Sequence, residues 1–281
     1  MLLFMNLPEE LILSIFVYIA VTERIKLRAV CKSWAKLLLH PTLLKNLDFS
    51  MITESFRERY LDIALSNSAR VVSLKLFQCD VDGYATLCGK SLTEASRQGK
   101  FKTLKKLTVV RTELDDAHLI QILQGTENLE HIDLFDTRQR GYVGKSIVEF
   151  SSHSLRYLRF PSGTYWNRHE VELVLDNCRS LETISIERSM WPHDLMRSLL
   201  FQNKWCNIKR IVLTVDTDYE QYVFEEHGRS FDDDYFLPLV KDMAATKKPG
   251  PVLCLCETPV KEDTKIVLKR LNIVLCSCRS R

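Results

Sequence analysis

One spacing constrains this chain more than any other: L-x-x-L-x-L, with Val or Ile substituting freely. It begins at Val71 (VVSLKL), Leu104 (LKKLTV), Leu129 (LEHIDL), Leu155 (LRYLRF), Leu181 (LETISI) and Ile208 (IKRIVL). From Leu104 to Ile208 the step is 25 to 27 residues. Degenerate copies lie around Leu253-Cys254-Leu255 and Leu271-Asn272-Ile273. Alternating apolar residues make each copy a short strand. The spacing between copies then leaves room for one helical or irregular return. Such a unit cannot close a core alone, so stacked neighbours must share one. A chain of 281 residues is in any case long for a single compact core.

The return segments Asp115 to Leu123, Arg168 to Leu175 and His193 to Phe201 have helical patterning, with Asn167 and Asp194 near plausible starts. Three residues past the second strand leucine stand Cys79, Thr112, Thr137, Gly163, Ser189, Asp216, Thr258 and Cys276. All are small and most can hydrogen-bond, as a tight backbone corner requires. Period and signature together resemble leucine-rich repeats. That family favours Asn or Cys in the corner column. Asn is absent here, which predicts a weaker internal ladder. The resemblance implies an α/β solenoid arc with a parallel inner sheet and outer helices.

The stretch from Phe4 to Phe49 has a different character. Pro8 suits the first turn of a helix. Leu11, Ile12, Ile15, Phe16 and Ile19 then recur at helical spacing. Thr22 is placed to cap a second helix, with Glu23 favourable in its first turn. In that helix Ile25, Leu27 and Val30 point to packing. Trp34, Leu37 and Leu38 mark a third helix that ends before Pro41. Three helices this short bury little surface, so a partner or docking onto the rest of the chain is implied. The stretch resembles the F-box, through Leu7-Pro8-Glu9, Ile15-Phe16, Tyr18-Ile19, Leu27-Arg28, Val30-Cys31 and Trp34. Leu47-Asp48-Phe49 resembles that family's exit into the next domain. The resemblance implies adaptor contacts at Leu7, Pro8, Glu9, Ile12, Ile15, Phe16, Ile19, Leu27, Val30, Cys31 and Trp34. The implied partners are a Skp-type adaptor and, through it, cullin and RING subunits. The expected organisation is an F-box over residues 1–50 and a repeat domain over residues 51–281.

Composition narrows the classes further. A net charge of +3 is too small to argue for nucleic acid or an anionic membrane. The apolar run Leu11 to Val21 is shorter than the roughly 20 residues a membrane span needs. Glu9 and Glu10 precede it where a signal peptide carries basic residues. A buried helix is the expectation, with no membrane span. Nine cysteines, an odd number, fit reduced thiols in the cytoplasm or nucleus.

Apparent catalytic motifs do not hold together. Gly144-Lys145-Ser146 has the ending of a phosphate loop, but Gln139 stands where that loop needs its first Gly. Cys254, Cys256, Cys276 and Cys278 form two C-x-C pairs. On neighbouring strands they would gather four sulfurs, yet zinc knuckles use C-x-x-C. Small residues in closing strands are the simpler reading. His153, His169 and His193 stand near repeat boundaries without a nucleophile. No G-x-S-x-G or H-E-x-x-H is present. Neither a cofactor nor an enzymatic activity is expected.

Residues between the repeat leucines point away from the core. The target-binding candidates are Lys75, Phe77, Lys106, Val110, His131, Phe135, Tyr157, Arg159, Glu187 and Arg210. Aromatics beside Arg on a rigid sheet have the composition of an interaction hot spot. The insertion DTDYEQYVFEEHGRSFDDDYF, residues 216–236, is acidic and aromatic. It reads either as a decorated surface loop or as a cap over the inner face that favours a basic target. F-box and repeats together resemble the leucine-rich-repeat subclass of F-box proteins. This implies a non-catalytic substrate receptor of an SCF-type ubiquitin ligase that binds an unidentified target. The alternative is an adaptor-binding scaffold or sensor that does not drive degradation.

Overall fold

The computed structural model describes residues 7–50, 54–77, 85–86, 90–135, 137, 142–161, 166, 168–187, 205, 207–214 and 252–255. The chain opens with α1 (Glu9–Phe16), α2 (Val21–Leu27) and α3 (Lys32–Leu37), then β1 (Asn46–Asp48) and α4 (Glu54–Asn67). The next elements are β2 (Ser73–Phe77), β3 (Ala85–Thr86), α5 (Lys90–Arg97), β4 (Lys106–Val110) and β5 (Thr112–Glu113). They continue as α6 (Asp116–Gln124), β6 (His131–Asp133), α7 (Tyr142–Ser151), β7 (Tyr157–Arg159), α8 (Arg168–Asn177), β8 (Thr183–Glu187), β9 (Arg210–Thr214) and β10 (Val252–Leu255).

Eight strands form one open parallel sheet in the order β1-β2-β4-β6-β7-β8-β9-β10, and β3 pairs with β5 beside it. The register aligns Leu47, Leu74, Leu107, Ile132, Leu158, Ile184 and Ile211 in one row, and all seven are buried. The other two leucine columns are buried with them, from Val71 to Ile208 and from Leu76 to Ile186. Each such side chain contributes about 1.5–3 kcal/mol by leaving water, set against the conformational entropy of ordering the chain. The repeat spacing therefore exists to build a continuous apolar slab. Its other wall consists of Leu119, Ile122 and Leu123 of α6, Val143 and Ile147 of α7, and Val171 and Val174 of α8. Helices α4 to α8 pack in chain order. The copy around Leu253 forms β10 beside β9. The copy around Leu271, residues 193–201, the insertion 216–236 and Cys256, Cys276 and Cys278 lie outside the described residues.

Two corner devices hold the repeats together. Asp115 caps α6 by accepting from the Ala117 N–H at 3.0 Å. In the small-residue column, Thr137 donates to the Leu134 carbonyl at 2.6 Å and closes its turn. Bonds between repeats lie at the opposite corner. Thr103, Ser154 and Asn207 each precede the first leucine of a copy. Each donates to the first-leucine carbonyl of the copy before: Val71 at 3.1 Å, Leu129 at 2.9 Å and Leu181 at 2.8 Å. The missing corner Asn is thus offset by a polar ladder one residue ahead of the repeat.

Two local expectations are corrected. Helix α2 starts two residues earlier than a Thr22 cap allows: its N-cap is Ala20, which leaves Thr22 inside the helix. Arg24 explains this, because its Nε donates to the Ile19 carbonyl at 2.8 Å and its Nη1 to the Leu43 carbonyl at 2.6 Å. The staple holds the start of the helix through tertiary contact. Val30, expected to pack, is exposed. Strand β1, within residues 1–50, pairs with β2 of the repeat region.

Candidate functional site

Two surfaces stand out, one at each level of the fold. The first is on α1. Ile12 and Phe16 face inward and pack with Leu37, Leu38 and Leu43 in a small core, and Phe16 meets Trp34 edge-on at 5.2 Å. Leu11 and Ile15 form a second stripe at the same i, i+4 spacing, and that stripe is exposed. Val17, Tyr18 and Val30 are exposed too, Tyr18 at 92%. A helix with a second apolar stripe beside the one it buries offers surface for a larger body to cover. Here one side is covered by the chain and the other is bare.

The implied adaptor set therefore divides. Pro8, Glu9, Ile15 and Val30 are at the surface, and Leu7, Ile19, Leu27, Cys31 and Trp34 are half-buried. Ile12 and Phe16 are buried in the small core under α1. Cys31 caps α3, its Sγ accepting from the Trp34 N–H at 3.5 Å. The exposed apolar residues Leu11, Val17 and Tyr18 are not in the predicted set. The available signal was the helical spacing of Leu11, Ile15 and Tyr18, which does not coincide with the Ile12–Phe16 stripe.

The second surface is the inner face of the sheet. Register places Ser73, Lys106, His131, Tyr157, Thr183 and Arg210 in one row. Lys75, Thr108, Asp133, Arg159, Ser185 and Val212 form the next. His131 and Tyr157 stack in parallel, centroids 4.0 Å apart with a 5° interplanar angle. The guanidinium of Arg159 lies 3.6 Å above the Phe135 ring, and its Nη1 is 3.9 Å from Asp133 Oδ2. The structure thus brings four predicted residues, His131, Phe135, Tyr157 and Arg159, into one cluster. Lys75 pairs with Asp48 at 3.6 Å, Phe77 is half-buried and Lys106 is exposed. Arg210 opens β9 beside Thr183, and Glu187 ends β8 beside Thr214.

Val110 is corrected. Expected to face outward, it is buried, 7% exposed. It sits beside Phe77 in register, and the Arg111 N–H bonds to the Phe135 carbonyl on its other side. A side chain this short between two larger ones is covered. Asp133 was missed, although the alternation through His131 and Phe135 places it on the same face.

Burial sets the protonation states of the cluster. It pulls His131 down to about 4, helped by Lys106, so the imidazole is neutral at pH 7. It pushes Tyr157 up to about 12, with Asp133 adding to the shift, so the phenol keeps its proton. It also raises Asp133, against the pull of Arg159 and of the Phe135 N–H. At the rim just before the strands, charge alternates Lys105, Glu130, Arg156, Glu182, Lys209 along consecutive backbone bonds. The ends pair at 2.7 and 2.9 Å. That rim satisfies itself, so the inner face carries the unspent chemistry.

Other motifs resolve structurally. Gly144 lies within α7, where a Cβ would come 3.2 Å from the Trp166 ring. It is a packing glycine in a helix and not part of a phosphate loop. His153 bonds the Glu127 carbonyl at 3.0 Å, which ties two repeats, and His169 is on the exposed side of α8. Among the described residues no three His, Cys, Asp or Glu side chains gather as a metal site, and no helix is long and apolar enough to cross a membrane.

Comparison with known proteins agrees with this architecture. Residues 4–50 match the family described as F-box-like. Residues 31–200 match the family described as FBD-associated F-box protein At5g56370, LRR repeats. That second match covers more than half of the chain, and the protein belongs to this leucine-rich-repeat F-box family. It is also similar to F-box/LRR-repeat protein 21 of Ovis aries, 22% identical over 208 residues, or 69% of this chain. The chain spans about half, 48%, of the length of that relative.

Proposed function

We propose that this chain is the target-binding subunit of an SCF-type E3 ubiquitin ligase, working in the cytoplasm or nucleus. The F-box docks a Skp-type adaptor and, through it, cullin and RING subunits. The inner face of the repeats holds a target for ubiquitylation. The observation that carries this reading is the bare apolar stripe of Leu11 and Ile15 on α1, beside a small closed core and with Val17, Tyr18 and Val30 also exposed. Apolar surface gathered on one face of a helix is stabilised by covering it, and contiguous patches of this kind mark interaction sites. The F-box match supports an adaptor as the cover.

The subunit takes no chemical step. It raises the effective concentration of the target near the ubiquitin-loaded enzyme. The test is co-purification with a Skp-type adaptor, followed by ubiquitylation of a captured partner in a reconstituted ligase. Leu11→Asp with Ile15→Asp is expected to abolish adaptor binding and leave the repeats folded. Undiminished adaptor binding by that variant rejects the assignment. Capture of a partner that is never ubiquitylated favours a scaffold or sensor instead.

A further inference from the structure

Asp133 and Arg159 are neighbours at the centre of the second inner row, between Thr108 and Ser185. This row is poorly satisfied. Thr108 Oγ1 and Arg159 Nε are shielded from water and have no hydrogen-bond partner, and Thr108 is 6% exposed. Ser185, 1% exposed, has a side-chain hydrogen bond with the Tyr157 hydroxyl. The ion pair itself is long, 3.9 Å from Nη1 to Oδ2, beyond hydrogen-bond reach. Asp133 Oδ1 accepts instead from the Phe135 N–H at 3.1 Å. A largely dehydrated guanidinium with so few bonds is costly. The repeat does not require it, since the same row carries Thr108, Ser185 and Val212 on other strands.

We infer that Arg159 is the anchor for an acidic side chain of the target, which draws the guanidinium off Asp133 and binds it through both carboxylate oxygens. This deepens the reading of the inner face as the target-binding surface and rests on it. Arg presents a planar fork that matches a carboxylate, and such pairs are among the strong charge-assisted bonds. Phe135 beneath the guanidinium keeps it flat. With the side chain 19% exposed, its outer edge is open to an incoming group. The Ser185 hydroxyl, on the adjacent strand at the same level, supplies a further donor once the cluster rearranges. Lys106 and Arg210, at either side of the His131–Tyr157 stack, add positive field along the first row. The parallel rings offer apolar contact to the residue beside the acid. A carboxylate fits better than a phosphoryl group. Asp133 repels any incoming anion, a phosphoryl dianion more strongly than a carboxylate, and the other cation of the row, Lys75, is paired with Asp48.

The experiment uses the purified full chain and immobilised peptide pools, random except for a fixed central residue: Glu, Gln, Lys or phosphoserine. Wild type is expected to favour the Glu pool over the Gln pool by about tenfold, as a charge-assisted bidentate pair allows. Arg159→Met is expected to erase that preference. Asp133→Asn is expected to strengthen retention of the Glu pool several-fold, because the internal competitor is gone. Local unfolding cannot produce that gain. Equal retention of the Glu and Gln pools overturns the inference, as does retention of no pool. So does weaker Glu binding by Asp133→Asn at an unchanged melting temperature. Preference for the phosphoserine pool overturns the commitment to a carboxylate. Preference for the Lys or Gln pool, lost on Tyr157→Ala, overturns the acid anchor and leaves the receptor reading standing. Adaptor co-purification on the same samples tests that reading separately.

Discussion

Phe16 and Leu11 share one helix, and replacing each with Ala should produce opposite failures. Phe16 is 1% exposed and belongs to a core of five buried side chains, with its ring against Trp34. Truncating a buried Phe costs about 3–5 kcal/mol, cavity included, and loss of the edge-on aromatic pair can add about 0.5–1.5 kcal/mol. Whole domains hold only about 5–15 kcal/mol, so a unit this small has no such reserve. Leu11 is 51% exposed. Alanine is the best helix former, and a surface change of this kind shifts stability by within about 0.5 kcal/mol.

Hydrogen exchange read by mass spectrometry separates the two. In Phe16→Ala the amides of α1 and α3 should lose protection while those of β4, β6 and β7 keep it. Adaptor binding should be lost because the plug is unfolded. In Leu11→Ala combined with Tyr18→Ala, protection should persist everywhere and adaptor binding should still be lost. A protected α1 in Phe16→Ala would refute the division between an inner and an outer stripe. So would loss of protection in the Leu11 variant.

Three further outcomes are expected. His131 is held at about 4 in the folded chain against an ordinary value of 6.5. The folded state therefore binds fewer protons than the unfolded state between those values. The His131 contribution is fully present above pH 6.5 and is lost as pH falls toward 4. Urea unfolding of wild type and His131→Phe at pH 7 and pH 5 should show a differential loss on the order of 1–2 kcal/mol in wild type; parallel curves count against a neutral, buried imidazole. Gly144→Val forces branched carbon into the Trp166 ring and should destabilise by about 1–3 kcal/mol, read as a lower urea midpoint. Arg156→Glu turns the alternating rim into three adjacent acids. It should lower the melting temperature at low salt but not at molar salt, and a salt-independent loss would mean that Arg156 acts through packing instead.

Most of the fold was legible because the repeat leucines do one job at every level. The same residues that define the spacing are the residues the sheet buries, from Val71 to Ile211. Corner chemistry was legible only in part. Thr137 closes its turn as its small polar side chain suggests. The inter-repeat bonds of Thr103, Ser154 and Asn207 depend on a carbonyl one repeat back, which no local pattern reports. The start of α2 went astray for the same reason, since the Leu43 carbonyl that Arg24 holds is distant in sequence. On the inner face, alternation identified which residues point outward. Which of them meet was set by register between strands some 26 residues apart, and that made Val110 a covered residue and Asp133 a central one.

The two surfaces are joined more firmly than an F-box followed by a repeat domain suggests. Val21 of α2, together with Leu44, Leu47 and Phe49, belongs to the core of the repeats and not to the small core under α1, and Ile25 packs against it. The backbone continues the seam: the Phe49 N–H donates to the Lys75 carbonyl at 2.9 Å, and the Val72 N–H to the Lys45 carbonyl at 2.8 Å. The first strand of the arc is thus supplied by the segment that leaves the plug. A flexible tether would let a bound target sample a wide volume and dilute its encounter with the enzyme. A shared core and a shared sheet instead fix the outer stripe of α1 relative to the Arg159 cluster. In a subunit proposed to act through proximity alone, that fixed relation converts binding at one surface into position at the other.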